Sequence, residues 1–279
     1  MNFPPFWARA KQEDFVCWRW SFKSVAEAEA LAAQALEQLM ARIKSGDIPP
    51  STDGGYYPNR PFREQIIREI KNTSGDIPAV ITRNSYGCLV LNTARAMFVD
   101  IDLPEPKKPG GWISRLFGKP QIAPPSNPEN EAITRIENWT RSHSDWGWRV
   151  YKTRSGLRLL ATQGLVEANT EVTDGVFDAL GADPLYRKLC KAQQCFRARL
   201  TPKPWRCGLR EKPGRWPWLE TKQELRFQKW EARYQSCSEN WATCEFVRHI
   251  GNPAIHPDIR MILDLHDEPT RAESKLPLA

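Results

Sequence analysis

Residues 148–163 constrain the fold more than any other stretch of the chain. "WRVYKT" and "LRLLATQ" are two short runs, separated only by "RSG". Side chains on a strand alternate between faces, and so tight a connection joins antiparallel neighbours. The spacing predicts a hairpin with strands at 148–153 and 157–163. The elements around it follow a recognisable order. "AMFVDIDL" (96–103) is a strand candidate, and "NPENEAITRIENWTRSHSD" reads as a helix before the hairpin. "NTEVTDGVFDALGADPLYRKLCKAQQ" reads as one or two helices after it, and "CFRARLTP" (195–202) as a strand stopped by proline. The order is β-α-β-β-α-β, the ferredoxin-like or RNA-recognition-motif-like (RRM-like) topology. The predicted fold class is α+β.

This core is expected over 94–210, with 104–128, rich in Pro and Gly, as a flexible insertion. An N-terminal α/β unit is expected over 1–93. It holds a strand at 15–22, a helix at 24–46 that Ser24 caps and Gly46 ends, and a short amphipathic helix at 62–71. Strands at 79–83 and 87–92 complete it. A C-terminal helical extension over 211–279 is predicted to carry a helix at 219–234, the segment 241–250 and a terminal strand, "MILDLHD" (261–267).

Lys and Arg outnumber Asp and Glu 40 to 33, a net charge of +7 that fits a polyanionic partner. No run approaches 18 apolar residues, so no membrane partner is expected. The seven cysteines form no C-x-x-C pair, and Trp7, Arg9, Lys11 and Glu13 interrupt any leader-like N-terminus. A cytoplasmic protein with reduced thiols is expected. The chain contains neither a Gly-rich P-loop nor a G-x-S-x-G elbow, so ATPase and serine-hydrolase readings lack support. The sequence does not fix an oligomeric state.

Sorting each strand into faces isolates the chemistry. Met97, Val99 and Ile101 share one face of the first strand; Phe98, Asp100 and Asp102 share the other. In the ferredoxin-like order 4-1-3-2 the first strand is central. Arg158 would then flank the aspartates on one side, and Arg197 and Arg199 on the other. Two carboxylates about 6.5–7 Å apart along a strand repel each other and need a cation. That cation is a divalent metal, Mg²⁺ or Mn²⁺, or it is the arginines. A metal there would serve phosphoryl chemistry; arginines alone would make a structural ion-pair network.

On these residues the chain resembles the archaeo-eukaryotic primase superfamily, the primase–polymerases. "FVDID" (98–102) matches the family's Asp-x-Asp strand, "KTRSGLRLL" (152–160) resembles its second motif after a β-turn, and "QCFRARLTPKPWR" (194–206) occupies its third strand element. The resemblance implies a metal-dependent nucleotidyltransferase of DNA replication type. It would act on single-stranded nucleic acid or a primer–template, with nucleoside triphosphates as substrates. Asp100 and Asp102 would be the catalytic metal ligands. Ser155, Gly156, Arg158, Arg197, Arg199, Lys203 and Arg206 would bind the nucleotide or phosphates. The chain departs from the family in carrying Arg158 where histidine is usual. It also lacks an acid in the fourth strand, so the third carboxylate would be Asp183, or Asp264 or Asp267 in the terminal segment. The alternatives are a non-catalytic nucleic-acid-binding protein on the same scaffold and a metal-dependent nuclease.

Other signals carry less. The segment 197–218 interleaves basic residues with Trp205, Trp216 and Trp218, which suits phosphate contact and base stacking or a solvated basic loop. In "TRNSYG" (82–87), Arg83, Asn84 and Tyr86 are candidates to line a site, although a hairpin turn explains Asn and Gly. Cys237, Cys244, His249 and His256 are zinc-type ligands at unusual spacings. His266 beside Asp267 is able to orient a base or make a local hydrogen bond.

Overall fold

The structure, a computed structural model, describes residues 1–46, 61–72, 74–104 and 127–279. Most of the predicted insertion at 104–128 and most of the loop after the first helix lie outside the described residues. The mixed α+β class is observed. Contacts divide the chain into two discontinuous units, 1–94 with 188–239 and 95–187 with 240–279. This grouping differs from the three consecutive spans expected from the sequence.

The first unit opens with a hairpin, β1 (Phe6–Gln12) and β2 (Phe15–Ser21). Helix α1 (Val25–Lys44) packs on both strands. The Ser24 side chain accepts from the Glu27 N–H at 3.1 Å, which starts the helix as predicted. Ala28, Ala32, Ala35 and Leu36 form its buried stripe, and the small side chains let the helix lie close to the hairpin. A second sheet has the order β3-β4-β5-β9, built from β3 (Gln65–Ile70), β4 (Ala79–Arg83), β5 (Leu89–Thr93) and β9 (Phe196–Arg199). Helix α5 (Thr221–Ser238) buries Phe227, Trp230 and Tyr234.

The second unit has one four-stranded antiparallel sheet of order β10-β7-β8-β6. Its strands are β6 (Phe98–Asp102), β7 (Gly147–Thr153), β8 (Gly156–Ala161) and β10 (Cys244–Gly251). Helices α2 (Pro128–Arg141), α3 (Glu171–Leu180) and α6 (Pro257–Thr270) belong to this unit. Helix α4 (Pro184–Gln193) carries the chain from this unit into the first.

Three expectations are corrected. The segment 62–71 is strand β3, not a helix. Its register slips between Ile66 and Arg68, so a bulge breaks the period of two, and Ile66, Ile67 and Ile70 mimic a helical stripe. The segment 261–267 lies inside helix α6, not in a strand. His256 caps that helix through Nδ1, which accepts from the Asp258 N–H at 3.2 Å, and Pro257 occupies its first turn. Ile259, Ile262, Leu263, His266 and Thr270 then recur at helical spacing on the buried face.

The third correction bears on function. The strand at 195–202 does not flank β6; it pairs with β5 in the first unit's sheet. Among the described residues β6 is therefore an edge strand rather than a central one, and β10 takes the opposite edge. Unpaired edges need covering. Here the Tyr186 hydroxyl donates to the Phe98 carbonyl at 2.8 Å, and the Asp183 N–H donates to the Asp100 carbonyl, also at 2.8 Å. The start of α4 thus satisfies two carbonyls along the open side of β6.

The two-residue turn from β7 into β8 holds Gly156 against β6. A Cβ on Gly156 would stand 1.9 Å from the Ile101 carbonyl oxygen, which is backbone and cannot rotate away. Gly156→Ala is expected to cost about 2–3 kcal/mol by forcing the strands apart. A lower urea midpoint at unchanged slope checks it.

Candidate phosphoryl-transfer site

The alternation that put Asp100 and Asp102 on one face also pairs Asp100 with Arg158 across β6 and β8. Arg158 Nε lies 2.8 Å from one Asp100 carboxylate oxygen, and Nη2 lies 3.3 Å from the other. The Arg158 side chain is 2% exposed and that of Asp100 30%. A buried guanidinium thus grips a carboxylate whose outer side reaches solvent, a bidentate, charge-assisted contact.

Arg158 also opens onto a second set of charges. Its Nη1 is 3.4 Å from His266 Nε2, and His266 Nδ1 is 2.8 Å from Asp267 Oδ1. Asp267 Oδ1 accepts from the Tyr151 hydroxyl at 2.6 Å, and Oδ2 accepts from Arg149 Nη2 at 2.7 Å. Arg149 bonds Glu273 as well and lies over the Phe246 ring. The donors fix the tautomer: His266 is neutral, donates through Nδ1, and offers the Nε2 lone pair to Arg158. Burial holds His266 below its ordinary pKa, and the Arg158 charge acts in the same direction against the Asp267 hydrogen bond. Burial alone would raise Asp267, but the His266 and Tyr151 hydrogen bonds and the Arg149 charge outweigh it and hold it low. Cys244 Sγ is 3.9 Å from His266 Nε2, yet burial pushes this thiol up to about 11, so it is not a nucleophile.

Of the candidate third acids, Asp183 meets the pair's strand through its backbone alone. Its N–H bonds the Asp100 backbone, while its carboxylate caps α4 by accepting from the Leu185 N–H at 3.2 Å and the Tyr186 N–H at 2.9 Å. Asp264 is exposed on α6. Ser155 and Gly156 form the turn beside β6, where the Leu103 N–H donates to the Ser155 carbonyl at 2.9 Å. Among the described residues no three His, Cys, Asp or Glu side chains gather into a ready-made metal cluster. The donors at the strand's edge still suit one hard cation. Asp102 is exposed, Asp100 is partly so, and a carboxylate offers about four lone-pair positions, of which Arg158 uses two. Mg²⁺ or Mn²⁺ held by one or two carboxylates takes its remaining ligands from water and substrate phosphates.

The other predicted phosphate ligands belong to the first unit. Arg197 is buried there and binds Glu64 through Nη2 at 2.8 and 3.0 Å; Glu64 also accepts from the Thr82 hydroxyl at 2.6 Å. Arg197 is therefore a structural partner of Glu64, on a strand that pairs with β5 rather than β6. Arg199 lies opposite Val90 in the same sheet, and Lys203 and Arg206 bracket the turn Pro204–Arg206.

The zinc expectation is corrected as well. Cys237 is on α5 in the first unit. Cys244 lies opposite Thr153 and His249 opposite Arg149, roughly 13 Å apart along the sheet, too far to share one ion. His249 Nε2 contacts the Asn252 carbonyl at 2.6 Å, and His256 caps α6.

The sequence reading missed Arg149, Tyr151 and Glu273 as partners of His266 and Asp267. Their signal was the alternation of β7, which puts 149 and 151 on one face. Misreading 261–267 as a strand hid the helix that meets them.

Compared with known proteins, the chain matches no family model, no curated protein and no solved structure. Among the described residues no helix is long and apolar enough to cross a membrane.

Two predictions follow from this geometry. Asp100→Asn leaves a buried guanidinium without its counter-charge and is expected to cost about 3 kcal/mol in chemical denaturation. The pH prediction depends on His266. Its folded pKa lies below the ordinary value near 6.5, so the unfolded chain takes up a proton first. This contribution to stability is complete above that value and is lost as pH falls through it towards the folded pKa. Denaturation midpoints from pH 8 to pH 5 should fall less steeply in His266→Gln than in the wild type.

Proposed function

We propose that the chain is a metal-dependent nucleotidyltransferase on nucleic acid, a divergent primase–polymerase that extends a strand from nucleoside triphosphates. The observation that carries this reading is the Asp100–Asp102 pair on one face of β6, with Asp102 exposed and the Asp100 carboxylate 30% exposed beyond its Arg158 contact. The Asp183 backbone bonds the same strand, while its carboxylate caps α4. The fold lends support: β6, α2, β7 and β8 keep the β-α-β-β order and the 1-3-2 strand neighbours of an RRM-like core. Among the described residues, the strand expected as the fourth of that core pairs with β5 instead, which is where the chain departs from the arrangement.

In this reading Asp100 and Asp102 hold Mg²⁺ or Mn²⁺, and the ion supplies positive charge to the triphosphate oxygens. Arg158 is a positioning residue. It fixes the Asp100 carboxylate from within, so the outward lone pairs keep one direction. Gly156 lets the turn lie against β6, and Ser155 sits at that turn, where its carbonyl accepts from the Leu103 N–H. Asp183 starts α4 with its carboxylate and holds the β6 edge with its backbone N–H.

One observation favours a second reading, a nucleic-acid-binding protein without turnover. Both Asp100 oxygens already accept from Arg158, which weakens the carboxylate as a metal ligand. A single assay separates the two. The protein is incubated with Mn²⁺, labelled nucleoside triphosphates and primed single-stranded DNA, beside Asp102→Asn, which leaves the Arg158 contact in place. Labelled extension by the wild type, reduced at least a hundredfold in the variant, is the expected result. Shortening of the DNA would replace synthesis with nuclease action. Binding with no product from either protein would leave the second reading.

A further inference from the structure

Two polar segments far apart in the sequence meet in the first unit, and neither is explained by packing alone. The turn between β4 and β5 is set by Asn84, whose Oδ1 accepts from the Tyr86 N–H at 3.0 Å and the Cys88 N–H at 3.1 Å. Gly87 closes that turn at φ 82°, with the Trp230 ring where a Cβ would stand. The second segment follows β9. The Pro202 carbonyl accepts from the Tyr234 hydroxyl and from the Cys88 thiol, the latter at 3.3 Å, and Pro204 begins the short helical turn. Both loops are therefore held from beneath by the α5 aromatics and by each other.

On the outer side the two loops present aromatic rings. Tyr86 is 40% exposed and Trp205 48%. Their ring centroids are 5.2 Å apart at 78°, an edge-to-face contact that holds the indole in place. Lys203 Nζ is 5.6 Å from the Trp205 centroid. Residues 203–215 add Arg206, Arg210, Lys212 and Arg215, with Glu211 as the one acid among them. Glu211 is itself paired with Arg233 at 2.6 Å. An exposed indole held by Tyr86, beside the Lys203 ammonium and within a basic stretch of chain, suits an anion that carries flat rings.

We infer that this surface is a stacking platform for single-stranded nucleic acid. A base lies on the Trp205 indole, Tyr86 fixes the edge of that indole, and Lys203 and Arg206 meet the flanking phosphates. Every base has a π-face, so the platform grips a strand without reading its sequence. The choice of polymer rests on the proposed function, and the surface supplies that function with a hold on its template.

Fluorescence anisotropy with a labelled oligothymidylate, and with an abasic strand of equal length, tests the inference. The wild type should bind the thymidylate more tightly than the abasic strand. Trp205→Ala should weaken thymidylate binding about tenfold and leave abasic binding unchanged. Trp205→Phe should restore most of the loss, and Tyr86→Ala should weaken thymidylate binding in the same direction. Lys203→Ala with Arg206→Ala should weaken both strands and flatten the dependence of affinity on salt. Thermal melting identifies any variant whose loss is merely unfolding. Equal wild-type affinity for the two strands, no binding at all, or full binding by folded Trp205→Ala would overturn the platform. These readouts are separate from nucleotide incorporation, so strand binding without synthesis would count against the catalytic reading alone. Synthesis with no effect of Trp205 would count against the platform alone.

Discussion

The second unit is organised around one buried guanidinium. Arg158 is 2% exposed, and a charge that deep persists only with a counter-charge and filled hydrogen bonds. Asp100 supplies the charge from the neighbouring strand, and neutral His266 supplies a lone pair from α6. Asp267, held by Tyr151 and Arg149, fixes the His266 tautomer that makes the lone pair available. The result alternates in sign from the sheet's edge to its helix-covered interior. Changing any member alters the electrostatics of the next, so strand β6, strand β7 and helix α6 are specified together.

That arrangement determines what Asp100 is able to do. A lone carboxylate on an edge strand would rotate, and its charge would be diluted in water. Gripped from the buried side, it keeps one oxygen edge turned outward, next to Asp102 and close to the start of α4. The grip also has a cost for chemistry, because it draws electron density away from a metal. The balance between orientation and neutralisation is the central physical question at this site.

Much of this was legible in the sequence. The hairpin at 148–163 and the face assignment of β6 follow from period-two alternation, and the Asp100–Arg158 pairing follows from those two together with the expected 1-3-2 strand order. Asp183 was legible as a helix start and as a candidate third acid. The destination of β9 was not, because Phe196 and Ala198 form an apolar face that suits either sheet. The choice is made by Arg197, whose buried partner Glu64 precedes a strand disguised by its bulge. Helix α6 was hidden by the near-alternation of "MILDLHD"; the informative signal lay upstream, in His256 and Pro257. Trp205 was legible as a stacking candidate and Tyr86 as a candidate to line a site, but their meeting depends on long-range pairing that no local pattern encodes.

Manganese binding measured by electron paramagnetic resonance tests the account most directly, because it reads the cation at the carboxylates without requiring turnover. With a nucleoside triphosphate present, the free Mn²⁺ signal should show one protein-dependent bound ion per chain. Asp102→Asn should release that ion while far-ultraviolet circular dichroism stays unchanged. Absence of a protein-dependent ion in the wild type, or equal binding by the variant, would contradict the assignment of Asp100 and Asp102 as metal ligands.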